Sequence, residues 1–428
     1  MRAWWVFALL FAWCSGTQAA TRDPFMEFAE DWGGLRTFLR DHGVDIRVSY
    51  VSETVTNARG GDRELWRYAD QWSFATALDL DRLFGLEQAQ FKITITDRNG
   101  RNLSKDAHLG SLLEVQEIWG RGQTWRWTQF YFEQQYLGGV LDWKIGRLPG
   151  GEDFADFSCE FINLALCGNP PGNIAVNYWY NWPVSQWATR LKASLQGFGY
   201  VEIGAFEFNP RYLQTQNGLD LGEPGGATGV LVPFEIAWQP VFAGRLSGSY
   251  KFGGWYNSSR APDAVDNTNR QPRLLDGGEP YEHNGEYGEY VNFLQQLTTA
   301  VPGDSKRGVA AFFNATFADE RTSSVDSQVA LGLAYTGPFA SRPADSIGTA
   351  AGRTHVNSRV AAAEALFNVT ARMPVPVQGS EFVAEIFYSA QVATWLQLRP
   401  DIQYVHQPGG AAHAPDDLIV GLRVSLVL

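Results

Sequence analysis

Apolar and polar residues alternate along most of the chain. From Ala89 to Thr96 every second residue is apolar and the residues between are polar. Apolar residues also recur at every second position from Leu418 to Leu428, with Arg423 and Ser425 among the intervening ones. A period of two is typical of a strand with one apolar and one polar face. Such strands are predicted near residues 44–52, 69–80, 87–97, 125–136, 140–148, 186–196, 200–208, 230–239, 244–256, 286–297, 307–318, 326–336, 345–357, 381–392, 396–405 and 418–428.

Many strands of about ten residues in an exported chain favour a transmembrane β-barrel. The bilayer core offers no water to backbone groups, and a closed barrel pairs all of them. An even number of strands places both chain ends on one side, which supports the weakly alternating strand at 286–297. The predicted fold is therefore all-β: a transmembrane antiparallel β-barrel of about 16 strands with a short N-terminal helix. A soluble sandwich or propeller gives similar alternation and is the alternative.

The N-terminus predicts export. Residues 1–20 read as a signal peptide, because Arg2 precedes an apolar stretch that ends in small residues, with Ala19 at the cleavage site. Residues 21–43 form an N-terminal segment, in which Trp32 to His42 reads as a short amphipathic helix ended by Gly43. The barrel is expected over residues 44–428. Short predicted turns alternate with long loops, as expected for periplasmic turns and external loops.

Composition excludes several classes of protein. The chain has 428 residues, of which 45% are hydrophobic, 14% aromatic and 19% charged, with a formal net charge of −12. This acidic balance disfavours nucleic-acid binding, and no apolar run past the N-terminus is long enough for a transmembrane helix. Hydrolase, metalloprotease and nucleotide-binding motifs are absent, so we expect no enzyme activity, cofactor or metal. Cys159 and Cys167 are an even pair in an exported chain and predict a disulfide.

Several short motifs, in order and spacing, carry a family resemblance. They are Asp31-Trp32-Gly33-Gly34-Leu35, Phe132-Glu133-Gln134, Ile145 to Phe154, Cys159 to Gly168, Asn181 to Trp187, Val232-Pro233-Phe234-Glu235, Gly253-Gly254-Trp255-Tyr256, Glu385-Ile386-Phe387-Tyr388, Leu398 to Tyr404 and Gln407-Pro408-Gly409-Gly410.

The chain thereby resembles the carbohydrate-selective porins of the OprB type over nearly all of its mature length. The resemblance implies a sixteen-stranded outer-membrane channel of a Gram-negative bacterium, which admits monosaccharides such as glucose by passive diffusion. Its partners would be small sugars as solutes, outer-membrane lipid and lipopolysaccharide, and further copies of itself. One departure is the C-terminus: outer-membrane barrels usually end in an aromatic residue, and this chain ends in Leu428.

Sugar selection calls for a constriction rich in hydrogen-bond donors and acceptors, with aromatic faces for stacking. The alternation predicts charged residues that point into the lumen, since Arg or Lys facing lipid at the midplane costs about 2–4 kcal/mol. Among them Arg190, Lys192 and Glu235 are the strongest candidates, because they lie mid-strand near the motifs. The inward set is Arg47, Lys92, Glu133, Asp142, Lys144, Arg190, Lys192, Glu235, Lys251, Glu385, Arg399 and Arg423, with Arg147 added if the strand breaks at Gly146.

The sequence does not decide other features of the lumen. Trp125, Trp127 and Tyr131 are candidate stacking surfaces or girdle residues. The loop that carries Cys159 and Cys167 either folds inward and narrows the pore or caps the exterior. Alternative functions are a general porin, a porin selective for organic acids or polyols, and a secreted all-β glycan-binding protein.

Overall fold

The computed structural model describes residues 31–157, 160–222, 225–299 and 307–428. The predicted signal peptide, most of the segment 21–43 before its helix, and Cys159 lie outside the described residues. Cys167 is buried, and the disulfide with Cys159 stays a prediction.

The described chain forms one closed antiparallel barrel. Each long strand pairs with the next along the sequence, and β1 pairs with β17 to close the sheet. This confirms the predicted sixteen-stranded fold, because the additional β9 has only two residues and pairs with the start of β10. The strands are β1 Val44–Arg59, β2 Trp66–Asp79, β3 Ala89–Gly100, β4 Trp125–Tyr136, β5 Leu141–Leu148, β6 Gln186–Leu195, β7 Gly199–Phe208, β8 Gly229–Trp238, β9 Val241–Phe242, β10 Leu246–Asn267, β11 Pro280–Gln296, β12 Gly308–Ala318, β13 Val325–Thr336, β14 Ser346–Val356, β15 Ser380–Ala393, β16 Leu396–His406 and β17 Asp417–Val427.

Helices are confined to the connections and the N-terminal segment. None of those in the described chain has the length and apolarity needed to cross a bilayer. The α-helices are α1 Leu35–Asp41, α2 Leu80–Phe84, α3 Leu103–Asp106, α4 Pro170–Ile174, α5 Arg273–Asp276 and α6 Ser358–Thr370. Single 3₁₀ turns lie at Trp32–Gly34, Leu137–Gly139, Gly150–Glu152, Leu164–Leu166, Pro210–Leu213, Thr215–Asn217 and Pro408–Gly410.

The wall has an apolar outer face and a polar inner face. On β8, Phe234 is 56% exposed on the outside, whereas its neighbour Glu235 is 2% exposed on the inside. Leu331 on β13 and Ile386 on β15 are likewise exposed, and Glu385 next to Ile386 is buried. The period of two that the sequence shows is thus the alternation between the outer surface and the lumen.

Several element bounds differ from the predictions, and β1 runs to Arg59 rather than residue 52. The strands β10 and β11 run to Asn267 and from Pro280, well beyond the predicted ends at 256 and 286. Their extension is mostly polar, as in the run from Asn257 to Asp263, so the alternation that marks a wall strand stops before the strand does. At the N-terminus, α1 begins only at Leu35 because Gly33 and Gly34 adopt positive φ angles.

The helix α1 lies at the short-turn end of the barrel. Arg82, in the β2–β3 connection, donates hydrogen bonds to the backbone oxygens of Arg40 and Asp41 at 3.4 and 3.2 Å. Gly43 then leads directly into β1, and its carbonyl accepts a hydrogen bond from the Asp79 amide at 2.8 Å. The sequence left open whether this helix sits at the mouth or in the pore, and these contacts place it at the mouth.

Candidate functional site

The long connection of residues 149–185, hereafter the inner loop, folds into the barrel. Its side chains Phe154, Trp179 and Tyr180 are fully buried and pack in one cluster with inward residues of the wall, among them Trp255 and Tyr290. The rings of Trp179 and Trp255 meet edge to face, with centroids 5.2 Å apart. Of the two placements that the sequence left open, the structure therefore shows the inward one.

A second connection, residues 101–124, packs against the inner loop from the long-loop end. The amide of Leu164 donates to the carbonyl of Glu114 at 2.9 Å, and the amide of Glu117 donates to the carbonyl of Ile162 at 2.9 Å. These bonds resemble a short ladder between two irregular segments. The two loops together form one partition across the lumen.

A cavity of about 490 Å³, hereafter the central cavity, lies between this partition and the inner faces of β1–β4 and β17. It takes Val51, Gln71 and Gln129 from the wall. Its charged and aromatic lining residues are Arg98, Arg121, Arg423, Glu114, Glu117, Glu152, Trp119, Phe157 and Trp182.

Opposite charges and amide groups face each other across the central cavity. Arg423, on β17, pairs with Glu117 of the second loop at 2.9 Å and with the wall residue Glu53 at 3.4 Å. The side-chain oxygen of Gln71 accepts hydrogen bonds from Arg98 at 2.8 Å and from the Trp182 indole at 3.0 Å. Guanidinium, carboxylate, amide and aromatic groups are thus held together in one water-accessible space.

The loop side of this cavity has its own electrostatics. Burial raises the pKa of Glu114 above its ordinary value, although Asn102 donates a hydrogen bond to its carboxylate at 2.6 Å. Burial lowers the pKa of Arg121, which donates to the carbonyl of Val176 at 2.8 Å. Arg121 therefore ties the second loop to the inner loop, in addition to lining the cavity.

Four of the predicted inward residues form a buried ion network on β4–β6. Arg190 is 2% exposed and pairs with Glu133 and with Asp142, each at 2.8 Å. Lys144 pairs with Asp153 of the inner loop at 2.8 Å. Burial alone would raise the pKa of Asp153, but Lys144 and Arg190 hold that pKa below its ordinary value. The network fixes the start of the inner loop to the wall.

Lys192 and Arg147 flank this network. Lys192 pairs with Glu202 on β7 at 3.2 Å, and its ammonium lies 4.3 Å from the centre of the Tyr200 ring. Arg147 is 3% exposed and donates to the carbonyls of Asp220 and Ser185 at 3.0 and 2.8 Å. The strand does break its regular conformation at Gly146, whose φ is +144°.

Four further predicted residues bind the backbone of the inner loop. Glu235 accepts a hydrogen bond from the Ala155 amide at 2.8 Å, and Glu385 accepts from the Ile162 amide at 2.8 Å. Lys251 donates to the carbonyl of Asp156 at 2.9 Å, and Arg399 donates to the carbonyl of Glu160.

The last two predicted residues lie near the short-turn end of the lumen. Arg47 is exposed, with Asp45 at 3.8 Å. Lys92 is half-buried on the inner face of β3. The predicted inward set has thirteen residues when Arg147 is included. Of these, Arg423 alone lines the central cavity in the described chain.

Two of the three candidate stacking residues do not face the lumen. Trp125 is 44% exposed on the outer face and stacks on Phe74 with ring centroids 6.0 Å apart, and Trp127 shares that face. Tyr131 points inward but is buried, with the Lys144 ammonium 4.7 Å from its ring centre. The stacking hypothesis was therefore wrong for Trp125 and Trp127, and a bulge after Trp127 explains why the pattern misled.

Sequence reasoning missed most residues of the central cavity. Arg98 lies in phase with Lys92 on β3, two residues past Thr96, and extending that alternation would have found it. Trp182 lies in the motif from Asn181 to Trp187, but the sequence assigned it no role. Arg121, Glu114 and Glu117 come from a loop whose path no pattern in the sequence reveals.

Comparison with known proteins identifies the family. The sequence model described as "Carbohydrate-selective porin, OprB family" matches residues 63–428. The chain belongs to this family. It is 42% identical to Porin B of Pseudomonas aeruginosa, over 93% of this chain and 90% of that protein. It is also 33% identical to the putative porin QuiX of Acinetobacter baylyi over the full length of both.

Solved structures agree with this assignment. The high-pH structure of Pseudomonas putida OprB superimposes with a TM-score of 0.89 at 41% identity, covering 93% of this chain and 97% of that one. This porin is accordingly an outer-membrane sugar channel of a Gram-negative bacterium. The family and the barrel indicate a channel rather than an enzyme, and they disfavour the secreted glycan-binding alternative.

Proposed function

We propose that this porin admits monosaccharides such as glucose by passive diffusion, and that the central cavity is where the sugar is selected. The observation that carries the proposal is the lining of this cavity. Arginines, glutamates, amides and two indole rings converge there, and the cavity lies beside the loop partition that narrows the lumen.

The chemistry suits a neutral polyhydroxylated ring. Each sugar hydroxyl both donates and accepts, so it can bind a guanidinium and a carboxylate at the same time. Arg423 beside Glu117, and Arg98 beside Gln71, offer such neighbouring groups. Trp182 supplies an aromatic surface for the C–H face of the ring. Because Arg423 is paired with carboxylates, an anion gains less from this guanidinium than it would from an unpaired one.

The remaining expectations are proposals at the same level. The exported chain would begin after the signal peptide 1–20, with the segment 21–43 at the periplasmic mouth and the barrel over 44–428. The outer surface would contact lipid and lipopolysaccharide, and copies of the chain would associate as a homo-oligomer. The inward charges away from the central cavity would line the entry and exit or hold the inner loop.

Purified porin in a planar bilayer tests the sugar assignment. We expect stable single-channel currents that glucose reduces in a concentration-dependent way. Substituting Arg98→Met or Trp182→Leu should weaken the apparent glucose affinity by at least about threefold, since one good hydrogen bond or stacking contact contributes on the order of 1 kcal/mol. Arg245→Met, at an exposed turn residue, is the matched control.

Three results would contradict the proposal. Absence of block by glucose and by other hexoses would remove the carbohydrate selectivity of this chain. Stronger block by a hydroxylated carboxylate than by glucose would instead support the organic-acid alternative. Block by glucose that both cavity variants leave unchanged would move the binding site away from the central cavity.

A further inference from the structure

The buried backbone of the inner loop cannot obtain its hydrogen bonds from helix or strand. Between Phe154 and Asn163 the described residues form neither helix nor strand, yet Phe154, Ala155, Phe161 and Ile162 are buried. Buried amide and carbonyl groups need hydrogen-bond partners, because leaving one unpaired costs free energy comparable to a lost hydrogen bond. Some of these groups bond to other loop residues, and several others bond to side chains of the barrel wall.

Glu385 on β15 provides the most complete example. Its Oε1 accepts from the Ile162 amide at 2.8 Å, and its Oε2 accepts from the Asn163 amide at 2.9 Å. One carboxylate thus binds two consecutive N–H groups, and its side chain is 2% exposed. Two hydrogen bonds from consecutive amides to one buried side chain constrain both its direction and its reach, so this contact fixes the loop position closely.

Glu235 on β8 repeats the arrangement at the other end of the segment. Its Oε2 accepts from the Ala155 amide at 2.8 Å and from the Tyr290 hydroxyl at 2.8 Å. Its Oε1 accepts from the Tyr200 hydroxyl at 2.6 Å. The two tyrosines hold the carboxylate itself in place, because each donates from a neighbouring part of the wall.

The loop carbonyls are bound by wall donors in the same way. Lys251 and Asn292 donate to the carbonyls of Asp156 and Ala155 at 2.9 and 2.7 Å. Further along, Arg399 donates to the carbonyl of Glu160 and Gln328 to that of Ala165. Described residues of the inner loop between Ala155 and Ala165 are therefore bonded to the side of the barrel formed by β8 and β10–β16.

We propose that Glu385 and Glu235 are positioning residues that set the width of the channel. They hold the inner loop against one side of the barrel and so fix the partition that bounds the central cavity. The two strands lie six places apart in the sheet, with β10, β11, β12, β13 and β14 between them, so the loop is fixed at two separated points. This role rests on the proposed function, since it concerns the width of the same sugar pathway.

The position of the carboxylates argues against a purely structural role. Neither of these two glutamates lines the central cavity, so neither is placed to bind the solute. A buried carboxylate is costly unless it is fully hydrogen-bonded, and an apolar residue would fill the same space without that cost. What the carboxylate adds is directional acceptors for named amides of a loop that lacks any ladder of its own.

Three substitutions, two at Glu385 and one control, separate the reach of the carboxyl group from its chemical identity. Glu385→Asp keeps the carboxyl group but shortens the side chain by one methylene, so its oxygens no longer reach both amides. Glu385→Gln keeps the size but turns one acceptor into an NH2 group that faces an amide N–H. Glu289→Gln, at an exposed residue of β11, is the control for removal of one carboxylate.

Planar-bilayer recordings of the full-length porin give the readout. We expect Glu385→Asp and Glu385→Gln each to raise the single-channel conductance about twofold or to produce several conductance levels, and to weaken glucose block at least threefold. Glu289→Gln should match the parent. Unboiled gel mobility confirms that each variant retains its barrel.

The outcomes decide between the possibilities. A change in Glu385→Gln with none in Glu385→Asp would show that the carboxyl group matters and its reach does not, which overturns the proposal. Parental currents in both variants would overturn it as well. If Glu385 variants lose the barrel, Glu235→Asp carries the test with the same expectation. If the Glu385 variants change the conductance but glucose does not block the parent channel, the sugar assignment is wrong and the positioning role is retained.

Discussion

At the scale of single residues, Arg190 shows that the orientation of a side chain can be predicted when its role cannot. The alternation placed it on the inner face, and the structure does so too. Its guanidinium, however, is 2% exposed and is occupied by Glu133, Asp142 and Asp153. The sequence predicts which way a strand residue points, because the period of two is local. It does not predict the partner when that partner lies on a loop whose path is set by the whole barrel.

We therefore expect Arg190→Met to act on stability rather than on sugar binding. Removing one member of a buried ion network leaves its carboxylates unpaired, which costs on the order of 3–5 kcal/mol. The unfolding midpoint in urea, followed by unboiled gel mobility, should fall clearly. Glucose block of the channels that do form should stay within about twofold of the parent. A large loss of glucose affinity with normal stability would return Arg190 to the sugar pathway.

At the scale of elements, the strands were the predictable part and the loops were not. Each of the sixteen long strands overlaps a predicted segment, because one face of each meets lipid and the other meets the lumen. The helix α6 was missed inside a predicted loop, although Asn357 caps its first turn and alanine is frequent in it. A period of two detects strands with two different faces. The helix α6 lies outside the barrel wall and does not show this period.

The helix α6 is tied to the long strand β10. Arg359, in its first turn, donates to both oxygens of Asp263 at 2.9 and 3.2 Å, and His283 lies 2.8 Å from the same carboxylate. Asp263 is 1% exposed. The carboxylate thus joins the extended ends of β10 and β11 to the loop that carries α6.

We predict that Asp263→Ala loosens this loop without changing the channel. Trypsin should cut the variant faster than the parent after Arg359 or Arg372, by fivefold or more, because local opening exposes these sites. Conductance and glucose block should match those of the parent, since α6 lies away from the central cavity. Equal cleavage rates would mean that the helix is held by its other contacts. Asp276→Ala, in the same region, serves as a comparison.

At the scale of the whole molecule, closure of the barrel depends on the last residues of the chain. β1 and β17 pair from Ser49↔Val427 onward, and Leu428 exchanges backbone hydrogen bonds with Val48 at 2.8 and 3.2 Å. These bonds use the backbone, so they are indifferent to the side chain of residue 428. A leucine at this position is therefore compatible with a closed barrel.

Two C-terminal variants separate backbone from side chain. Leu428→Phe should retain the heat-modifiable gel mobility of the parent, because it keeps every backbone bond of the seam. Deletion of residues 426–428 removes paired residues from the β1–β17 ladder and should abolish or strongly reduce the compact, fast-migrating form. Normal assembly of the deletion variant would show that the seam closes without its last pairs. Outer-membrane yield of each variant is the companion measurement.

The two walls of the central cavity are built differently, and this has a consequence for how such proteins diversify. One wall is sheet, which hydrogen bonds between neighbouring strands keep rigid, and the other is irregular chain bonded to strands on the opposite side of the barrel. Substitutions in the loop wall alter the width and the chemistry of the cavity together, while the strands keep their number and register. A new solute preference can therefore arise on an unchanged barrel, through changes confined to a few dozen consecutive residues.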